Sequence, residues 1–157
     1  MLELLRQHDI ESLSFVGSDV HGIARGKHVP AKRLLANPGT TVTISSFMIM
    51  MDCAGVPTPP PEGVEGWWPS WEEGFTDLRM IPDPQTVRVV PWQDDNAIVL
   101  CDYEHAEGGW PLDFMPRALV RRLEKRLEDL GYRSMFSVEL EWLLFQETEQ
   151  SLSLIHI

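Results

Sequence analysis

The sequence predicts an α+β fold, in which a small mixed unit is followed by one helix and one strand that open a second domain. Three observations carry this. Short apolar and β-branched runs with period-two alternation recur as far as residue 101, divided by clusters of Pro, Gly, Asn and Asp. From Trp110 the pattern switches to an apolar stripe at helical spacing, Val120, Leu123, Leu127 and Leu130. Residues 137–145, Ser-Val-Glu-Leu-Glu-Trp-Leu-Leu-Phe, then return to strand-forming character. A helix and a single strand cannot enclose a core. Residues 1–107 are therefore read as one domain and 108–150 as the beginning of another, with 151–157, an uncharged run, a doubtful tail that is either a strand pairing elsewhere or a non-native end.

Residues 2–7 suit a short helix, and 12–16 alternate as a strand. Asp19-Val20-His21-Gly22 supplies turn residues before a second extended run over 23–29, which together make a hairpin. Pro30 opens a brief helix through Leu34 and Leu35, and Asn37-Pro38-Gly39 ends it. Residues 40–50 read as a buried strand, and 54–73 as a loop rich in Pro, Gly and Trp. Strands resume at 78–80, 86–90 and 97–101, with Pro82, Pro84 and Pro91 restricting pairing to edges and ends. In the later helix Asp113 is the expected N-cap, Pro116 sits in the first turn and Gly131 ends it. Its charges, including Arg121 with Glu124 and Lys125 with Asp129, lie opposite the stripe and are expected to face solvent.

The formal charge of -11 argues against nucleic acid or an anionic membrane as partner. The N-terminus lacks a signal-peptide pattern and no apolar run reaches membrane-spanning length, so the expected location is cytoplasmic. Cys53 and Cys101 lack CxxC spacing and are expected to be buried free thiols. The five histidines show no HxH or HExxH spacing and are expected at the surface. Arg25-Gly26-Lys27 reads as a basic cluster at a hairpin end in preference to a phosphate site, and the tryptophans beside Pro57-Thr58-Pro59-Pro60-Pro61 as packing or interface residues.

Glu139 and Glu141 carry the sharpest chemical signal. On a strand they share a face at about 7 Å, where two carboxylates repel unless a cation lies near. Mg²⁺ or Mn²⁺, which take carboxylate oxygens and often bridge phosphates, fit that need. The alternative is the solvated outer face of an edge strand.

Three segments together resemble the glutamine synthetase family, especially its branch that ligates amines other than ammonia. They are Asp19-x-x-Gly22-x-x-Arg25-Gly26-Lys27, then Asp77-Leu78-Arg79-Met80-Ile81-Pro82-Asp83-Pro84 through Val90-Pro91-Trp92, and Gly131-Tyr132 followed by Glu139-x-Glu141-x-x-x-Phe145. The resemblance implies a β-grasp-like N-terminal domain followed by the first helix and strand of a glutamine synthetase-type catalytic domain. It also implies homo-oligomers whose active sites lie between subunits. The implied reaction uses ATP to phosphorylate the side-chain carboxylate of glutamate, and ammonia or an amine attacks the acyl phosphate. By the same resemblance Glu139 and Glu141 hold divalent metal, and Asp52 and Asp77 help bind or deprotonate the amine. Met51-Asp52-Cys53-Ala54-Gly55 departs from the Asp-Gly-Ser-Ser signature of ammonia-using members, which points away from ammonia itself. For both aspartates the competing reading is a turn or strand-end residue satisfied by local backbone. Two other classes remain: a stand-alone β-grasp interaction or regulatory module, and a different metal-dependent ligase or phosphotransferase.

Overall fold

A computed structural model describes residues 1–144 except 61, 64, 65, 73 and 94, together with 146 and 148. Alternation along β1 (Ser12–Ser18) buries Leu13 and Phe15 in the core and turns Ser14 and Val16 to the other face. β2 (Ala24–Pro30) pairs with it antiparallel, from Ser12 opposite Pro30 to Ser18 opposite Ala24, so the predicted hairpin is present. Flanking it are the helices α1 (Leu2–Gln7) and α2 (Ala31–Ala36), the latter N-capped at Pro30 as the proline's preset φ allows. Their apolar residues Leu5, Ala31 and Leu34 close the core over Leu13, Phe15 and Val29.

β3 (Val42–Ser45) and β4 (Asp77–Pro82) pair antiparallel, and β5 (Arg88–Val89) is a two-residue strand. β6 (Asn96–His105) organises the sheet. Its first half runs parallel to β1, its second half antiparallel to β4, and β5 pairs with it at Ala97 and Ile98. The order is β2-β1-β6-β4-β3. The parallel β1–β6 pair needs a long crossover, and the segments between supply the remaining elements.

Four expectations change. Residues 40–50 hold a strand only to Ser45, because the Ser45 hydroxyl accepts the Phe47 N–H at 3.4 Å and turns the chain into a 3-10 helix over Ser46–Ile49. The run 86–90 pairs only at Arg88 and Val89, after a 3-10 turn that Asp83 caps. The helix α3 (Pro116–Asp129) starts after Met115 in place of Asp113, with Pro116 at its first position. Residues 133–144 form no strand and are almost wholly exposed, since a strand exists through its ladder and none lies beside this segment among the described residues. Phe145 and residues 151–157 lie outside the described residues.

Helix α3 also docks by the face expected to meet solvent. Arg117 bridges to Asp83 and, at 3.1 Å, to Asp102, while Arg121 bridges to Asp102 and, at 2.8 Å, to Asp83. Two carboxylates, Asp83 just past β4 and Asp102 within β6, thus outweigh the pairing of Arg121 with Glu124, although Lys125 does bridge to Asp129. Val120, Leu123 and Leu130 face outward, more than half exposed. The core itself continues past residue 107: Leu112 and Met115 are buried with the sheet residues, and the Leu112 N–H donates to the Tyr103 carbonyl at 3.0 Å. No helix among the described residues is long and apolar enough to cross a membrane.

Only one of the two cysteines is buried. Cys53 is exposed, whereas burial pushes the Cys101 thiol from 9.0 up to about 12. Burial also pushes the Tyr103 phenol up. The folded state therefore holds the Cys101 proton to about pH 12 while the unfolded chain releases it near 9, so this thiol costs no stability below pH 9 and lowers it as pH rises through that window. A disulfide-exchange reagent at pH 8 is expected to modify Cys53 at once and Cys101 only as the chain unfolds. Two equally fast thiols would contradict this burial.

Candidate functional site

The Asp-x-x-Gly-x-x-Arg spacing builds a buried ionic turn. Asp19 is fully buried, and its Oδ1 accepts the N–H groups of His21 at 2.9 Å and Ile23 at 2.8 Å. Its Oδ2 accepts Arg25 Nε–H at 3.0 Å, so the carboxylate is satisfied on both oxygens. Gly22 takes the φ of +83° that this turn requires. At Gly26 a Cβ would stand 2.0 Å from the Phe15 carbonyl oxygen, so the strands close only over glycine. The basic cluster is thus part of the turn: Arg25 spends its charge on Asp19.

From there Arg25 reaches a second element. Its Nη2 donates to the Asp52 carbonyl at 3.4 Å, and the Val20 N–H donates to the Ile49 carbonyl at 3.0 Å. Asp52 opens a tight loop over residues 52–56. Its Oδ1 accepts the Ala54 and Val56 N–H groups, each at 2.8 Å, and its own N–H donates to the Val56 carbonyl at 2.8 Å. The local-backbone reading of Asp52 is therefore correct for one oxygen, while Oδ2 has no partner among the described residues.

Asp77 begins β4 opposite Ser45 and is exposed. Its carbonyl accepts the Ala106 N–H at 3.1 Å. By alternation it shares the face of Arg79, which pairs with Glu104 at 2.7 Å. No hydrogen bond or ion pair among the described residues joins Asp52 to Asp77. Glu139 and Glu141 are exposed in the unpaired segment after α3. Their oxygens are the kind of donor a hard divalent ion takes, and Mg²⁺ is commonly held by one or two carboxylates with waters and phosphates filling the rest of its shell. Among the described residues no group of three or more His, Cys, Asp or Glu is placed to hold a metal. The pair fits Mg²⁺ or Mn²⁺ in the kind of donor it offers.

Sequence reasoning missed the burial of Asp19 and its clasp with Arg25; the fixed spacing of the two residues was the available signal. It also missed the surroundings of His105, which is part-buried. The ring stacks on Trp110 at 4.7 Å and meets the edge of Trp67 at 5.3 Å. The Gly108 N–H donates to Nδ1 at 3.1 Å, so the ring's own proton sits on Nε2 and faces the Thr76 hydroxyl at 3.3 Å. The prolines before Trp67 are packed as well: Pro57, Pro59 and Pro60 line a cavity of about 240 Å³ with Met50, Pro69, Trp71 and Phe75.

Comparison with known proteins adds sequence relatives. The chain is 33% identical over 152 residues to a glutamate–isopropylamine ligase of Pseudomonas sp, covering 96% of this chain and 32% of that protein. It is 31% identical over 148 residues to a γ-glutamylanilide synthase of Acinetobacter sp, covering 92% of this chain and 29% of that one. The chain thus spans about a third of the length of these curated relatives. A solved structure described as a GmaS/ADP complex matches in fold with a TM-score of 0.59 at 22% identity, over 82% of this chain and 25% of the other. No protein-family model matches.

Proposed function

Because its relatives are glutamate-amine ligases of the glutamine synthetase family, matched along nearly all of this chain and about a third of theirs, we propose that it is the N-terminal part of an ATP-dependent ligase. The reaction joins ammonia or an amine to the side-chain carboxylate of glutamate through an acyl phosphate. The observation that carries this reading is the 33% identity to a glutamate–isopropylamine ligase over 96% of the chain. In this reading residues 1–107 are the β-grasp-like N-terminal domain, with Leu112 and Met115 seated in its core, and 108–150 begin the catalytic domain. The protein works as a homo-oligomer.

Asp52 and Asp77 would bind or deprotonate the amine. The geometry of Asp52 supports this role, because two loop amides fix the carboxylate through Oδ1 and leave Oδ2 to accept from an ammonium. Glu139 and Glu141 would contribute carboxylates to a divalent site completed by oxygens from outside the described residues. Divalent metal would draw charge off the transferring phosphoryl group.

The test is phosphate release by the full-length protein given glutamate, ATP and either ammonium or a panel of alkylamines and polyamines. An alkylamine or polyamine is expected to be preferred in kcat/KM. A large preference for ammonium removes the amine branch and leaves the family. In the same assay Glu141→Gln should lose well over about tenfold, the scale on which even outer partners of metal ligands act. Wild-type rate and metal affinity in that variant would end the metal assignment.

A further inference from the structure

Two features of the clasp bear on the amine site: among the described residues Arg25 is the one side chain bonded both to the hairpin turn, through Asp19 Oδ2, and to the Asp52 loop, through the Asp52 carbonyl. It is four-fifths buried, with 19% of its side chain exposed. We infer that Arg25 is a positioning residue for amine binding, holding the Asp52 loop so that Oδ2 is presented to the substrate ammonium; this rests on the ligase reading above. The electrostatics fit the task. A guanidinium next to a cation-binding carboxylate would compete with the substrate, but here its charge is neutralised by a fully buried aspartate. The arginine therefore supplies geometry to Asp52 through the backbone carbonyl and leaves the carboxylate's charge for the amine. A fork of donors is needed, because one nitrogen bonds the carboxylate while another reaches the carbonyl.

Arg25→Lys separates these roles: a lysine keeps the charge and the pairing with Asp19 but has one nitrogen for both partners. Amide exchange in the 157-residue chain is expected to speed up about tenfold at Ala54 and Val56, on the scale of one lost hydrogen bond to a charged group. Exchange at Ile23, whose N–H is held by Asp19, should hardly change. That control shows that the turn still folds; Arg25→Gln, which also removes the charge, should add faster exchange at Ile23. In the full-length protein Arg25→Lys should raise the amine KM about tenfold with kcat and the glutamate KM unchanged. Unchanged exchange at Ala54 and Val56 would overturn the tether. Faster exchange with an unchanged amine KM would overturn its role in amine binding. If the wild-type protein releases no phosphate with any amine, the ligase reading and the amine role fall together, and exchange alone then decides whether the tether exists.

Discussion

Asp19→Ala is expected to cost about 3–5 kcal/mol, the range for breaking a buried ion pair by removing one partner. Against a typical total of about 5–15 kcal/mol for a folded domain, that is enough to leave a large fraction of the chain unfolded. The loss has two sources. Arg25, 19% exposed, is left as a largely buried cation, and the His21 and Ile23 amides lose the carboxylate oxygen that accepts them. Urea unfolding of Asp19→Ala, Arg25→Ala and the double variant separates the two. The double variant should be more stable than Asp19→Ala alone because no unpaired charge remains, yet less stable than wild type because the two amides are still unsatisfied. A loss below about 1 kcal/mol for Asp19→Ala would place it with exposed pairs and contradict its burial.

Ending the chain after residue 107 is expected to destroy cooperative unfolding, the reverse of what sequence patterning suggests. Leu112 is 1% exposed and Met115 3%. Truncating one buried side chain of this size costs about 2–5 kcal/mol, so deleting both removes an amount comparable to the whole stability of the domain. The same cut removes the Trp110 carbonyl that accepts the His105 N–H at 3.0 Å and the Leu112 N–H bonded to Tyr103. Ending the chain after residue 131 should do the opposite. It deletes Met135, Phe136, Val138, Leu140, Trp142, Leu143 and Leu144, each at least 75% exposed, so little stability is lost and a large apolar surface disappears. Thermal melts and hydrophobic-dye fluorescence of the three chains decide between the two expectations. A cooperative melt for residues 1–107 would mean that Leu112 and Met115 add nothing to the core.

Much of the first hundred residues is legible locally. Asp19 to Gly22 is turn chemistry, Pro30 presets a helix start, and strand patterning identifies most of β1 and half of β4 and of β6. The three short segments that resemble glutamine synthetases are consistent with the curated relatives. Asp52 was legible only as a choice between a turn residue and a site residue. The structure shows that it serves the turn through one oxygen, while the other has no partner among the described residues.

By itself, then, the sequence determined most local elements of the first half and the family resemblance, because caps, turns and alternation depend on neighbours a few positions away. Only the tertiary structure decided that Asp19 is buried, that α3 docks by Arg117 and Arg121 and leaves Val120 and Leu123 outward, and that residues 133–144 stay unpaired. Each of those outcomes depends on what lies opposite. The partners of Arg121 are 19 and 38 residues away in sequence. Likewise a run of strand-forming residues becomes a strand only where another strand offers its backbone N–H and C=O groups.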